Sequence, residues 1–423
     1  MPSPPLRKPS PKLVCLPLLL ALAVTVAVTL LCVAGLNATQ ARSKDPRPAL
    51  HPAMSATVRD GQTTLALRLA KHLAPAGVNA TKGNVAFSPV SIHAALALLA
   101  AGARGATLDQ LLAFLGAPSA AGLADFGRRI AHRVLGDRAA SGGPRVLFSG
   151  GIWVDASRDG LKTAFRDVAV ESYKSEARTV SFADEPEEVA EAINSWAKKA
   201  TNNLIDSIIS AKDITAETDL VLANAVYFKA KWKDPFKSYH TGPGTFHRLD
   251  GSRVDAQFMS QTIYGAHYAS CVDGFKVLKL AYKHDPDDVP RFRHKNGRGA
   301  AAGADDTHYS MLPKFQISYD WDLGRDLRLL GLSSPFSPES ADLRGIFQNG
   351  RPTFLSKVLH KAVVKVDEDG TEAAAVTSVM LDGSAWQPEP PIEFVADHPF
   401  TFFIMEERSG VIVFAGHVLD PTN

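Results

Sequence analysis

The chain is organised around residues 366 to 385, VDEDGTEAAAVTSVMLDGSA. The first part is polar and contains Gly370, a residue that adopts backbone angles which other side chains resist. If residues 371 to 381 form a strand, alternation places Thr371, Ala373, Ala375, Thr377, Val379 and Leu381 on one uncharged face. Glu372 then lies on the opposite face, which can stay in contact with water. This pattern predicts a segment that lies exposed as a loop and can also enter a sheet.

The composition is that of a folded protein with a large core. Of the 423 residues, 45% are apolar and 21% are charged, which suits one large domain or two ordinary ones. The formal net charge is +2, and the first 41 residues hold three bases (Arg7, Lys8 and Lys12) and no acids. The rest of the chain is therefore close to neutral, which argues against a nucleic-acid-binding protein.

Four stretches together resemble one known family. Residues 368 to 377, Glu-x-Gly-Thr-Glu-Ala-Ala-Ala-x-Thr, are similar to the reactive-loop hinge of serpins, most closely those of the plant type. The runs 84 to 92, 222 to 232, and 397 to 400 with its continuation to Asp420-Pro421 resemble serpin core motifs. The resemblance spans residues 55 to 423. It implies an α+β serpin fold, with early helices packed on large, mostly antiparallel sheets and an exposed reactive loop at 367 to 391.

The resemblance also implies a function. A protease attacks the loop, forms its acyl-enzyme, and is trapped when the loop inserts into the central sheet, so we expect a serine-type endopeptidase inhibitor. Papain-like cysteine proteases are additional expected targets, and the protein is expected to be a monomer. A non-inhibitory carrier, storage or membrane-tethered interaction protein with the same fold is the alternative. The hinge implied by the resemblance comprises Glu368, Asp369, Gly370, Thr371, Glu372, Ala373, Ala374, Ala375, Val376 and Thr377.

The reactive bond follows from the same resemblance. Counting seventeen residues from Glu368, the separation that the plant-type pattern implies, puts the bond between Ser384 and Ala385. The motif at Phe394 lies one residue closer than that pattern implies, which makes Gly383-Ser384 the alternative. These residues are small, so the expected partner is an endopeptidase that prefers small or apolar residues. Residues 371 to 391 contain no Lys or Arg, and we therefore do not expect a trypsin-like target.

Local patterns predict several elements. Ser88-Pro89 is typical of a helix start, and Thr107-Leu-Asp-Gln110 resembles a capping box that opens a helix ended by Gly116. Apolar periodicity predicts a helix over 186 to 200. We predict strands over 145 to 154, 220 to 229, 275 to 280, 361 to 366, 400 to 405 and 411 to 418.

One interval departs from the family. Residues 284 to 308 are rich in Pro, Gly, Arg and Asp, and this composition predicts a disordered surface insertion. Tyr309-Ser-Met-Leu312 resembles the start of one family strand, whereas Pro313-Lys-Phe-Gln-Ile-Ser318 resembles a strand that belongs several elements later. Two helices and part of the smaller sheet are therefore expected to be missing.

The amino terminus predicts targeting to a membrane. Residues 1 to 12 form a basic flank that stays cytoplasmic, and residues 13 to 36 are uncharged, as in a secretory signal peptide or a signal anchor. Residues 37 to 54 are a polar spacer. We expect a secreted, extracellular protein, or a single-pass membrane protein whose domain lies on the luminal or extracellular side and which contacts the membrane only through 13 to 36. Asn37 and Asn79 are candidate glycosylation sites.

No motif for a cofactor, a metal or catalysis stands out. The three cysteines leave Cys271 alone in the domain, so an internal disulfide is excluded. The Asp367-x-Asp-Gly370 run resembles a calcium loop, but Lys365 and Val376 occupy two positions where ligands are required. Ser384, Asp397 and His398 carry the residue types of a catalytic triad without a nucleophile-elbow sequence. We therefore expect neither an enzyme nor a cofactor.

Overall fold

A computed structural model describes residues 52–75, 83–158, 160–264, 268–272, 275–283, 307–348, 352–370 and 392–423. The helices of these ranges lie mainly in the first half of the chain: α1 (Pro52–Leu73), α2 (Pro89–Gly102), α3 (Gly105–Leu115), α4 (Ala120–Arg133), α5 (Thr163–Tyr173), α6 (Pro186–Ala200) and, later, the short α7 (Gly324–Leu329). Among the helices of these ranges, none combines the length and the hydropathy needed to cross a bilayer. The targeting segment 13 to 36 and the candidates Asn37 and Asn79 lie outside the described residues.

The start of α2 was predicted correctly. The Ser88 hydroxyl accepts a hydrogen bond from the Ser91 N–H at 3.4 Å, and Pro89 occupies the first turn. Nearly every residue of α2 is buried because its sequence is apolar on all sides, so this helix lies in the core.

The capping box at Thr107 is wrong. Helix α3 begins at Gly105, and Thr107 therefore lies inside its first turn. The Thr107 side chain is buried and lies 2.8 Å from the Ser334 hydroxyl. A tertiary contact thus uses the hydroxyl that the local pattern assigned to the backbone. Gly116 does end the helix, with a left-handed φ of 64°.

Within the described residues, the largest sheet has five strands in the order β10-β11-β4-β2-β3. These strands are β2 (Arg145–Asp155), β3 (Ser175–Val180), β4 (Leu220–Lys229), β10 (Phe315–Asp322) and β11 (Lys357–Val366). Strands β4 and β11 are adjacent and parallel, from Lys357 opposite Val221 to Val364 opposite Phe228. The two central strands of this sheet therefore run in the same direction, and β11 leads towards the predicted loop.

The other sheets are smaller. One has the order β1-β14-β13, one the order β12-β9-β6-β5, and β7 and β8 form a separate two-stranded ribbon. Their strands are β1 (Val85–Phe87), β5 (Thr241–His247), β6 (Arg253–Tyr264), β7 (Tyr268–Val272), β8 (Phe275–Lys279), β9 (Thr307–Pro313), β12 (Ile392–Val395), β13 (Phe400–Glu406) and β14 (Val411–Val418). Early helices and several mostly antiparallel sheets confirm the α+β prediction.

The two runs that the resemblance places several elements apart follow each other directly. Residues Thr307–Pro313 form one continuous strand, β9, between β6 and β12, and Lys314 alone separates it from β10. The chain thus passes from the four-stranded sheet to the five-stranded sheet without an intervening helix. The predicted insertion, 284 to 308, falls largely on residues outside the described ranges.

Both faces of the five-stranded sheet are covered. One face joins the main core through Leu222, Val226 and Val364, together with α2 and β14. The other face packs against α6, where Trp153 and Trp196 meet edge to face with ring centroids 4.9 Å apart. Strand β4 is consequently buried along almost its whole length. A strand that is buried on both faces needs apolar residues on both, which explains the nearly continuous apolar sequence of β4.

Candidate functional site

The site begins where β11 ends, in a tight turn from Asp367 to Gly370. The Asp367 N–H donates to the Gly370 carbonyl at 2.9 Å, and the Gly370 N–H donates to the Asp367 carbonyl at 3.2 Å. Gly370 has a φ of 126°, and a Cβ there would lie 2.1 Å from the Ala230 carbonyl oxygen. This position therefore requires glycine on two grounds, backbone angle and close approach.

The segment after β4 holds this turn through the backbone. The Trp232 N–H donates to the Asp369 carbonyl at 2.8 Å, and the Phe236 N–H donates to the Glu368 carbonyl at 2.8 Å. The Trp232 indole N–H reaches the Asp367 carbonyl at 2.9 Å, and its ring stacks on Tyr282 with centroids 4.3 Å apart. The turn is thus fixed against β4, the strand that neighbours β11.

Glu368 is held by side chains as well. Lys314 Nζ lies 2.9 Å and 3.0 Å from its two carboxylate oxygens, and the Thr241 hydroxyl donates to the carboxylate at 2.9 Å. Partial burial raises the pKa of Glu368, but the hydrogen bonds from Lys314 and Thr241 outweigh it, so the pKa is lowered overall. The first hinge residue is therefore an anion bound by groups from two other parts of the chain.

A buried polar network lies farther along the same two strands. His360 on β11 stands opposite Asn224 on β4, and the His360 Nδ1–H donates to the Asn224 side-chain oxygen. The same oxygen accepts from the Ser91 hydroxyl at 2.9 Å, while His360 Nε2 accepts the Ser88 N–H at 3.0 Å. The network spans the line between β4 and β11, which we call the seam. Any strand that separates β4 from β11 must break the contact between His360 and Asn224.

Burial sets the charge of this network. Removal of the imidazole from water lowers the pKa of His360 from 6.5 to about 3. A proton on Nε2 would also displace the Ser88 N–H that this nitrogen accepts. His360 is therefore neutral in the folded protein at physiological pH.

Acidification should destabilise the fold through His360. Between its unfolded pKa near 6.5 and its folded pKa near 3, the unfolded chain binds a proton that the folded protein does not, so stability falls as the pH falls. We expect His360 to contribute a loss on the order of 2 kcal/mol between pH 7 and pH 4.5, and buried His93, whose pKa is lowered to about 4, to add to it; urea unfolding measures the sum. His360→Gln should reduce the pH dependence, and the exposed control His132→Gln should leave it unchanged. Equal pH slopes for the His360 variant and the parent would contradict the assignment.

The structure locates part of the predicted hinge and adds residues that the sequence reasoning missed. Glu368, Asp369 and Gly370 form the turn, whereas Thr371 to Thr377 and the candidate bonds at Gly383, Ser384 and Ala385 lie outside the described residues. The missed residues are Ser88, Ser91, Asn224, Trp232, Thr241, Lys314 and His360. Asn224 could have been found from the sequence, because it is a polar residue in the middle of a buried strand. Within the described ranges, no group of three or more His, Cys, Asp or Glu side chains could hold a metal ion.

Comparison with known proteins defines the class. The family model described as "Serpin (serine protease inhibitor)" matches residues 60–287 and 302–421. The chain belongs to the serpin family of protease inhibitors. The matched ranges include the hinge turn, the seam and the surrounding sheets.

The chain is most similar to serpins of plants. It is 42% identical over 395 residues to rice (Oryza sativa subsp. japonica) serpin-ZXA, and the alignment covers 85% of this chain and 96% of the relative. It is 41% identical over 388 residues to barley (Hordeum vulgare) serpin-Z7, covering 85% and 95%. Among solved structures, Arabidopsis AtSerpin1 in its native stressed conformation matches with a TM-score of 0.73 and 35% identity, covering 86% of this chain and 99% of that one.

Proposed function

We propose that this protein inhibits endopeptidases by inserting its cleaved loop between β4 and β11, each molecule acting once and without enzymatic turnover. The observation that carries the proposal is the parallel pairing of these two central strands, with the hinge turn at the end of the seam. A chain that leaves β11 through a tight turn reverses its direction. It would therefore run antiparallel to both β4 and β11.

The turn also sets a register for such a strand. Asp367 and Gly370 already form an antiparallel bridge. If an inserted strand continued this pairing residue by residue, Thr371 would pair with Val366, Ala373 with Val364, and Ala375 with Ala362. These β11 partners belong to the main core. The uncharged face of the loop would thus meet the apolar face of the sheet.

Glu372 fits the same register. Its partner would be Lys365, whose side chain is about half exposed, on the face opposite to the main core. A carboxylate opposite an ammonium group across two strands is a favourable pair, and water can still solvate both groups. The single ionised group of residues 371 to 381 would therefore be accommodated.

Insertion would be strongly favourable. It replaces one parallel ladder by two antiparallel ladders, and antiparallel pairing is slightly the more stable per residue. About ten residues that each gain net hydrogen bonds of roughly 0.5 to 1.5 kcal/mol release on the order of 10 kcal/mol. This amount is comparable to the whole stability of a typical domain. It could distort the acyl-enzyme, whose hydrolysis requires donors held at hydrogen-bond distance from the oxyanion.

The hydrogen bonds of the seam network would hold β4 and β11 together until the loop inserts. Insertion breaks the contact between His360 and Asn224, and the same register places Thr377 opposite His360. The Asn224 side-chain Nδ2 has no hydrogen-bond partner in the described part of the chain. An inserted strand could supply the missing acceptor, while the Thr377 hydroxyl could replace Asn224 as a partner of His360.

The decisive experiment mixes the purified protein with a panel of proteases. We expect a denaturant-resistant complex with an elastase-like or papain-like enzyme, because the candidate residues are small and Met380 and Leu381 precede them. A protein that is cleaved by every active protease without forming such a complex would instead be a non-inhibitory member of the family.

Cleavage should occur between Leu381 and Trp386, with Ser384-Ala385 as the proposed bond and Gly383-Ser384 as its neighbour. We expect Pro388, Pro390 and Pro391 to stiffen the far side of the loop in an extended form and to resist cutting there. Mass spectrometry of the released C-terminal fragment measures the bond directly. A new N-terminus outside residues 382 to 386 would contradict the proposal, as would trapping of trypsin through this loop.

We further propose that residues 13 to 36 deliver the domain to the secretory pathway and the extracellular space, with a signal anchor as the alternative. Three bases precede this uncharged run, and a basic flank stays on the cytoplasmic side, so the domain would face the lumen or the exterior. N-terminal sequencing of the mature protein distinguishes the two. A start near residues 35 to 42 indicates a cleaved signal peptide, and a start near residue 1 indicates an anchor.

A further inference from the structure

A strongly basic surface with one exposed aromatic ring borders the start of the loop. It comprises Lys231, Lys233, Lys237, Tyr239 and His240, all exposed, and we call it the 231–240 surface. Tyr239 is 72% exposed, the highest value among the large hydrophobic side chains of the described residues. Exposed tyrosines beside cations are typical of contact surfaces between proteins.

This surface is fixed to the hinge on both sides. Phe236, within this stretch, donates its N–H to the Glu368 carbonyl at 2.8 Å, and Thr241, just after it, donates its hydroxyl to the Glu368 carboxylate at 2.9 Å. Residues 237 to 240 therefore bulge outwards directly beside the first hinge residue. The loop that a protease must attack therefore begins next to this surface.

The surface is also ordered before any partner arrives. The His240 N–H donates to the Lys237 carbonyl at 2.8 Å, and the Ser260 hydroxyl donates to the His240 carbonyl at 3.0 Å. The Tyr239 ring lies 4.5 Å from the His240 ring and 5.8 Å from Lys237 Nζ. An aromatic ring held in place loses little conformational entropy when it is buried in an interface.

The positive charge of the 231–240 surface indicates what kind of partner it would bind. Lys231 and Lys233 flank the buried Trp232 and project into solvent, and exposed Lys283 adjoins them because its N–H donates to the Lys231 carbonyl at 2.7 Å. Asp234 is the sole acid among residues 231 to 240. Among the described hinge acids, Glu368 is paired with Lys314 and Asp367 with Lys365, so Asp369 is the hinge acid that can offset part of this charge.

We propose that the 231–240 surface is a second contact site for the target protease and that the matching surface of this protease is acidic. The inference rests on the proposed function, since it needs a protease at the loop. Opposite charges would speed the encounter, and Tyr239 would anchor the protease beside the hinge.

The test measures how fast a protease attacks the loop, counting trapped complex and cleaved chain together. Lys231→Glu/Lys233→Glu should slow the attack about tenfold at low salt and flatten its dependence on ionic strength. Tyr239→Ala should slow it several-fold with an unchanged salt dependence. The matched control is Lys199→Glu/Lys212→Glu, with the same change of net charge on α6 and the segment after it, and it should retain the parent rate.

The outcomes separate this inference from the inhibitory mechanism. The ratio of trapped to cleaved molecules should not change, because these side chains lie outside the sheet. If the protein is cleaved but never trapped, a slower attack on the variants still supports the second contact site. Parent-like rates for the Lys231/Lys233 and Tyr239 variants would overturn it, as would a panel in which no protease attacks the loop. If reversal of the lysines abolished only an acceleration by added sulfated polysaccharide, the surface would bind that polyanion and not the protease.

Discussion

Thr371→Arg is expected to turn the inhibitor into a substrate, with trapping reduced by at least about a hundredfold while the loop is still cut. If the register of the bridge between Asp367 and Gly370 continued into an inserted strand, residue 371 would lie opposite Val366 on the main-core face. An unpaired guanidinium buried there costs several kcal/mol, and this cost slows insertion relative to hydrolysis of the acyl-enzyme. Gel quantification of complex against cleaved chain gives the ratio directly.

The matched control for this experiment is Thr371→Val. It keeps the branched shape and removes the hydroxyl without adding charge, so it should trap protease as well as the parent does. Thermal unfolding of the uncleaved variants should be close to that of the parent, because in the proposed mechanism residue 371 enters the sheet only after cleavage. An arginine variant that trapped protease at the parent ratio would refute insertion in this register.

Cleavage of the loop is expected to raise the midpoint of thermal unfolding by about 20 °C. The cut strand is free to enter the seam, and a gain on the order of 10 kcal/mol at roughly 2 °C per kcal/mol gives this size for a large domain. Circular dichroism before and after cleavage by a protease that cuts between Leu381 and Trp386 measures the shift.

The same Thr371→Arg variant provides the control for stability. After cleavage its midpoint should rise much less than that of the cleaved parent, since the charge opposes insertion at the first residue of the strand. An unchanged midpoint for the cleaved parent would show that β4 and β11 do not accept the loop. The protein would then be a non-inhibitory serpin whose basic 231–240 surface could still bind a partner.

Local sequence determined several of the elements. The strand at Leu220–Lys229, the helix at Pro186–Ala200 and the strand at Val411–Val418 lie at the predicted bounds. Their signals are continuous apolar runs and regular periodicity, which depend on neighbours within a few residues. The composition of residues 371 to 381 was equally readable, because a run of mostly small residues without proline or glycine is a local property.

Tertiary structure decided how these elements become a site. The parallel pairing of β4 with β11 joins residues about 136 positions apart, and no local pattern specifies such a partner. The same holds for Lys314 and Thr241, which bind Glu368, and for Thr107, whose hydroxyl contacts Ser334 and not the end of its own helix. His360 gained its role when burial removed it from water beside Asn224. Sequence determined which segments could be strand, helix or hinge because those preferences are local, whereas the fold decided which polar groups were buried together, because burial depends on contacts between distant segments.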